Sequence, residues 1–349
     1  MLFANTPWES PQFILFILVG IALVIYCIGS LLSSVGHHIY GELATTPTET
    51  DVIPLEDGWD IVIDRHLPDQ EPLGVVITCH GMNMNAHNMD VSKDISLVGY
   101  LKERGYEVWN VDLRGVGRSR FSYDKEKLDG DWSFDDYIRY DVPGILQHVT
   151  KRSGFEKVHW IGHSMGGMIM YAYLGSHPEE ERIASVCTVG SPVVLIKDTI
   201  TKALAYFGRF LVLFIKRLPT DRLAKSVALL TIRLPFGIYI CRPFNISGNA
   251  YRRCVYNALS PLSRGLVKQF SRWMLTKTMD SEDGQWDYRQ SLQDIQVPFC
   301  FVVGKSDQLA AEVNVRPAFE ELGSSQKETV VVPFKYQDIH ITLRNSFHL

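Results

Sequence analysis

The pentapeptide Gly162-His163-Ser164-Met165-Gly166 lies between two segments of opposite character. Before it, Lys157-Val158-His159-Trp160-Ile161 reads as a short buried strand, and after it Gly167 to Leu174 reads as an apolar helix. A chain that passes from strand to helix through one residue leaves no space for side chains around the turn, so the glycines flanking Ser164 are a packing requirement. This is the setting of a nucleophile elbow, where a serine hydroxyl stands at a strand end below the N–H groups of the next helix. Met165 then offers the first backbone donor to an oxyanion formed beside Ser164.

A serine hydroxyl is a weak nucleophile near neutral pH and requires a base, an orienting acid and a second oxyanion donor. Pro298-Phe299-Cys300-Phe301-Val302-Val303 leads into Gly304-Lys305-Ser306-Asp307, which puts Asp307 on the loop at a strand's C-terminal end. Functional groups gather at that edge of an open α/β sheet, although an Asp there also serves as an ordinary turn residue. Downstream of Asp307 the histidines are His340 and His348. Val330 to Phe334 reads as the last strand, so His340, a few residues beyond it, is the candidate base, whereas His348 adjoins the terminus, where chains fray. Upstream, the β-rich run Val75 to Cys79 is followed directly by His80-Gly81-Met82. Asn83, Asn85, His87 and Asn88 come next, either lining a pocket or serving as turn and cap residues.

On these features the chain resembles the α/β-hydrolase superfamily from about Val52 to Val332. Gly105 to Ser119 is similar to that superfamily's strand ending in D-x-R-G-x-G-x-S, here Asp112-Leu113-Arg114-Gly115-Val116-Gly117-Arg118-Ser119. Asp131-Trp132-Ser133-Phe134-Asp135-Asp136-Tyr137, followed by Asp141-Val142-Pro143, is similar to the stretch before the elbow in acid lipases and their bacterial relatives. The resemblance implies ester hydrolysis with no metal or organic cofactor, a triad in the order Ser164, Asp307, His340, and an oxyanion hole built from the N–H groups of Met82 and Met165. The chain departs from the pattern at its end. A Y-G-H-x-D type segment would be expected, but Tyr336-Gln337-Asp338-Ile339-His340 exchanges the acid and the histidine, and only Ile341 to Leu349 follows. Either His340 serves from a shifted position, or the end is altered and the triad with it.

Phe13 to Leu32 contains no charged residue. As a helix, about 20 residues span about 30 Å, the thickness of a bilayer core. No basic n-region precedes the run, as a cleaved signal peptide would require. Residues 12–33 are therefore expected to form one membrane anchor and 34–51 a linker. With no Lys or Arg before Arg65, neither close flank carries the positive charge that would set orientation. The six cysteines show no C-x-x-C or His/Cys ligand spacing, so neither a metal site nor a disulfide framework is expected.

The overall net charge of −4 conceals an asymmetry. Between Ile196 and Met279 there are 15 Lys and Arg against 2 Asp and Glu. This segment is also apolar, with Ala203 to Arg217 reading as a helix too greasy for a freely solvated lid. Apolar surface flanked by cations suits an anionic membrane interface; plain packing of a stripe on the core is the competing reading. A nucleic-acid partner is not expected beside a membrane anchor and without a binding motif. The basic cap favours the cytoplasmic side, where the anionic leaflet lies.

The sequence thus predicts an α/β fold of the α/β-hydrolase type, a mostly parallel sheet flanked by helices, preceded by one N-terminal transmembrane helix. Core residues 52–195 and 291–349 enclose a helical cap at 196–290. The expected activity is cleavage of a lipid ester, such as a monoacylglycerol or a lysophospholipid, through an acyl-enzyme on Ser164. Acyl transfer to an alcohol and non-catalytic lipid binding are the alternatives.

Overall fold

Short runs with no polar alternation build the centre of the sheet. Every residue of β3 (Val75–Cys79) and of the strand β4 (Glu107–Asp112) is buried, the pattern of strands covered on both faces. The computed structural model describes residues 27–32, 34–36, 38–41, 45–121, 131–195, 199–228, 247–305, 307 and 309–333. The remaining sheet strands are β1 (Glu49–Pro54), β2 (Trp59–His66), β5 (Val158–His163), β6 (Ile183–Val189), β7 (Phe299–Gly304) and β8 (Lys327–Val332). They run in the order β1-β2-β4-β3-β5-β6-β7-β8, with the short pair Arg120–Phe121 added against β2. Pairing is antiparallel from β1 to β2 and from β2 to β4, and parallel across the rest. The parallel strands share one C-terminal edge, which carries the loops after β3, β4, β5, β6 and β7.

Helix α1 (Leu97–Glu103) covers one face beside β4; α2 (Val142–Ser153) and α3 (Met165–Ser176) cover the other. In α3 every residue from Met165 to Gly175 is buried, because this helix is apolar on all sides and sits in the core. Between β6 and β7 the chain forms α4 (Thr199–Leu211), α5 (Thr220–Ala228), α6 (Gly248–Arg253) and α7 (Arg264–Thr276); α8 (Glu312–Glu321) follows β7. Helix α7 is the firmest of the inserted helices. Its Phe270 and Trp273 meet Phe134 edge-on at 6.0 and 5.0 Å, and Gln269 donates to Asp135 at 2.7 Å.

Strand β1 begins inside the stretch expected to be a linker. Thr50 and Val52 alternate with the inward-facing Asp51 and Ile53, and Asp51 accepts bonds from His148 and Arg152 of α2 at 2.8 and 3.0 Å. The alternation was hidden in a Thr-rich context. The expected anchor at 12–33 falls mainly on residues 12–26, outside the described residues. Among the described residues no helix is long and apolar enough to cross a membrane.

Candidate active site

Strand β5 ends at His163 and α3 starts at Met165, so Ser164 alone makes the turn, at φ 50° and ψ −114°. Among the described residues only Asn83 and Lys277 share a positive φ without being glycine. Such a backbone costs about 1–3 kcal/mol and persists only where its surroundings over-determine it. Here they do. Ser164 N–H donates to the Val189 carbonyl at 2.8 Å, and the Ser164 carbonyl accepts from Gly167 and Met168 at 3.0 and 3.1 Å. A Cβ on Gly162 would stand 2.3 Å from the Gly166 carbonyl carbon, and one on Gly166 would stand 2.5 Å from the Cys79 oxygen. The glycines of the pentapeptide are thus required by close backbone approach.

The His80-Gly81-Met82 turn lies against this elbow. A Cβ on Gly81 would be 3.2 Å from the Ser164 Cβ. The turn is fixed from below by His80, whose Nε2 accepts from Leu113 N–H at 3.2 Å and whose Nδ1 faces the Gly81 carbonyl at 2.9 Å. The Asn88 Oδ1 accepts from the Gly81 N–H at 3.3 Å and faces His163 Nδ1 at 2.8 Å. An amide oxygen only accepts, so His163 carries its proton on Nδ1. Burial holds both His80 and His163 below the ordinary imidazole pKa, so both are neutral near pH 7.

Asp307 follows β7, its N–H donating to the Gly304 carbonyl at 3.0 Å. The Asp307 Oδ1 accepts the N–H groups of Leu309 and Ala310, both at 2.8 Å. Its Oδ2 points toward Gly190, where a Cβ would lie 3.5 Å away. Gly190 has φ +58° and directly follows Val189, the partner of Ser164 N–H. The end of β6 therefore has Ser164 on one side and Asp307 on the other. Ser164, Met165, Met82 and Asp307 share the C-terminal edge; His340 and His348 lie outside the described residues.

Several residues of the quoted motifs have supporting contacts that the sequence does not show. Arg114 is buried and donates to Asp141 at 2.6 Å and to Asp57 at 2.7 Å, while its N–H reaches Asp141 at 3.0 Å. Burial pushes Asp141 up to about 6, against the pull of Arg114. Asp112 accepts from Ala86 N–H at 2.8 Å and Arg118 N–H at 3.0 Å, which ties the loop after β4 to the loop after β3. Asp135 accepts from Tyr288 at 3.0 Å and from Glu282 N–H at 2.7 Å besides Gln269, so the second lipase-like stretch anchors the inserted helices. Among the four residues after the turn, Asn85 is a cap: it accepts from His87 N–H at 3.0 Å and donates to the Asn257 carbonyl at 2.8 Å. Asn88 belongs to the site itself.

A family model described as the alpha/beta hydrolase fold matches residues 74–340. The lysosomal acid lipase/cholesteryl ester hydrolase of Macaca fascicularis is 29% identical over 189 residues, 50% of this chain and 46% of that protein. Lipase member M of Mus musculus is 22% identical over 326 residues, 79% of this chain and 74% of that protein. The chain thus spans about half the length of the acid lipase. Among solved structures, a thermophilic esterase from Thermogutta terrifontis superposes with a TM-score of 0.56 at 16% identity, covering 85% of this chain and 97% of that one. At that identity the likeness concerns the fold alone.

Proposed function

This chain belongs to the α/β-hydrolase fold family, and from that premise we propose that it is a serine hydrolase cleaving a lipid carboxylic ester. The observation that carries the proposal is the held, positive-φ backbone of Ser164, with the Gly81 turn against it and the Asp307 carboxylate across the end of β6. Ser164 Oγ attacks the acyl carbonyl as His340 takes its proton. Asp307 Oδ2 orients and stabilises the resulting imidazolium, while Oδ1 stays bound to its two loop amides. The N–H groups of Met82 and Met165 receive the oxyanion, and the same imidazolium then protonates the departing alcohol. Water, activated by His340, releases the fatty acid and restores Ser164. The acid-lipase relatives support a lipid ester as substrate.

The reading includes attachment to a membrane, through an anchor at 12–33 and through α4. The inner side of α4, with buried Ala205 and half-buried Gly208 and continued by buried Val212, packs toward α7, a Cβ on Gly208 lying 3.3 Å from Val267. On the outward side Phe207 is 58% exposed, Phe210 57% and Phe214 74%, with Arg209 and Lys216 exposed among them. Aromatic surface edged by cations is suited to an anionic lipid interface, which favours the cytoplasmic leaflet.

The test is labelling of detergent-solubilised protein with a fluorophosphonate probe, beside Ser164→Ala and His340→Ala. Labelling of the wild type that is lost in both variants is expected. Labelling that survives Ser164→Ala would overturn the mechanism, and labelling that survives only His340→Ala would move the base elsewhere.

A further inference from the structure

The turn that carries Met82 is held at both ends. One end is β3, paired on either side in the sheet. The other, residues 83–85, pairs with the cap segment 257–260 between α6 and α7. The Asn83 carbonyl accepts from Ser260 N–H at 2.9 Å, Asn85 N–H donates to the Ala258 carbonyl at 2.8 Å, and Met84 faces Leu259 across an antiparallel bridge. Asn83 has φ 65°, a conformation that persists only where its surroundings hold it, and Thr220 of α5 donates to its side chain. Asn85 adds a side-chain link. Its Oδ1 accepts from His87 N–H at 3.0 Å, so its Nδ2 is the group that donates to the Asn257 carbonyl at 2.8 Å and to Ser260 Oγ at 3.3 Å.

The same cap segment is fastened to the chain before β1. The helical residues within 27–40 end at Tyr40, whose carbonyl accepts from Asn257 Nδ2 at 3.0 Å. Tyr40 stacks on Tyr256 with the ring centroids 6.0 Å apart and the planes 8° from parallel, and the Arg252 guanidinium lies 5.6 Å from the Tyr40 ring. Gly36 passes so close to Tyr256 that a Cβ there would enter its ring. Tyr40, Tyr256, Leu259 and Met84 belong to one apolar cluster, so contact is continuous from Tyr40 to the turn. Farther along, the N–H and hydroxyl of Thr45 both donate to Asp90, at 3.1 and 2.5 Å, on the loop that contains Asn88. A bare tether between an anchor and a domain needs none of these contacts.

We propose that Asn85 and Asn257 are positioning residues for the oxyanion donor at Met82, and that through them the helix ending at Tyr40 controls turnover at Ser164. Neither side chain touches a reacting atom. An oxyanion donor acts by being held in place before charge develops, so a loosened turn weakens the transition state more than the bound ester. The inference rests on the serine-hydrolase reading and adds to it a control of the same site from outside the core.

The test uses the full chain in detergent with Asn85→Asp and Asn257→Asp. Each is nearly isosteric and puts an oxygen where an NH₂ faced a carbonyl, while Asn85→Asp keeps the bond from His87 N–H. Hydrolysis of a short-chain soluble ester is measured per site titrated with a fluorophosphonate, so that misfolded protein is not counted. Each variant is expected to lower kcat about tenfold or more while KM changes less than about twofold. The double variant is expected to lose little beyond the larger single effect, because both links lie on one path. An unchanged kcat per titrated site in either variant would overturn the proposal, and fully additive losses would overturn the connection to Tyr40. A second measurement needs no turnover: in Asn257→Asp, hydrogen exchange of the amides of residues 81–88 is expected to speed up severalfold while that of β5 is unchanged. Unchanged exchange at 81–88 would overturn the proposal. Wild type that neither turns over nor labels, with this exchange response intact, would instead overturn the serine-hydrolase reading and leave the coupling standing.

Discussion

Asn88 Oδ1 lies 2.8 Å from His163 Nδ1 while also accepting the Gly81 N–H, so one amide oxygen joins the elbow to the turn beside it. The two segments that would hold the oxyanion are thereby kept in one relative position. Asn88 touches no reacting atom in this arrangement and acts as a positioning residue. Asn88→Ala is expected to lower kcat by up to about 100-fold, the scale of a small misplacement of catalytic groups, with a much smaller change in KM. Fluorophosphonate labelling should slow without being lost, and steady-state kinetics beside labelling rates would check this. Equal losses in kcat and in thermal stability would point to a merely structural role.

The glycine cradle gives a second expectation. In Gly162→Ala the new methyl would stand 2.3 Å from the Gly166 carbonyl carbon and 2.4 Å from Gly167 N. These atoms are backbone at the start of α3, so the strain has no flexible side chain to absorb it. Overpacking of this kind costs about 1–3 kcal/mol, and more where backbone has to move. A denaturant titration should show a lowered midpoint together with loss of labelling at Ser164.

What the sequence made legible follows from how local each feature is. Ser164, its flanking glycines and the strand–helix change lie within a few residues of one another, so their pattern could be read directly. The place of Asp307 on the loop after β7 was legible because that loop directly follows an apolar run. Asp135 and Gln269 lie 134 positions apart, and Arg114 and Asp141 lie 27 apart. Such pairs are made by topology, and no spacing rule reveals them. The role of Asn88 was hidden for the same reason, since its partner His163 is 75 residues away. Strand β1 was missed because it starts at the end of a Thr-rich polar stretch and holds only two apolar strand formers, Val52 and Ile53, although it pairs in register with β2. His340 followed from chain order and from its place after the last strand, and the labelling experiment decides it.

The buried Arg114–Asp141 pair should matter strongly for stability. Both side chains are at most 1% exposed, and the two bonds from the guanidinium and the backbone N–H of Arg114 converge on one carboxylate. Removing Asp141 leaves the buried guanidinium with only the partly exposed Asp57 of its two carboxylates; breaking a buried pair costs up to about 3–5 kcal/mol. Asp141→Ala is therefore expected to unfold at a much lower urea concentration than wild type. A shift smaller than about 1 kcal/mol would mean that water reaches Arg114, since a solvated pair contributes only that much.

Glu180 sets an acid limit. Burial raises its pKa, but hydrogen bonds from Arg182 at 2.6 Å and 2.8 Å and from the Tyr173 hydroxyl at 2.6 Å prevail, leaving it at about 2 against an ordinary 4.5. A carboxylate depressed in the folded state contributes stability that is fully present above its unfolded pKa and is lost as pH falls through the folded one. The window is therefore from about pH 4.5 down to about 2. The difference in urea midpoint between wild type and Glu180→Gln should be constant above that window and shrink within it. A difference that stays constant down to pH 2 would contradict this assignment.

The outward side of α4 separates lipid contact from plain packing. Phe207 in α4 and Phe214, three residues beyond its end, are 58% and 74% exposed, and Phe210 meets Phe214 edge-on at 5.3 Å, so most of the surface of Phe207 and Phe214 faces solvent and is available for burial in lipid. Burying such a ring in an apolar phase is worth about 1.5–3 kcal/mol, so replacing both removes enough to be read as more than a tenfold change in membrane partition. Phe207→Gln/Phe214→Gln is expected to reduce hydrolysis of an ester presented in anionic vesicles about tenfold or more, while hydrolysis of a short-chain soluble ester stays close to wild type. Added salt should weaken the vesicle reaction of the wild type through screening of the cations beside the rings. If the two rings instead pack against another part of the protein in solution, the double variant would lose stability and both activities together. A fall confined to vesicles, with an unchanged melting temperature, is the result that a lipid-facing α4 requires.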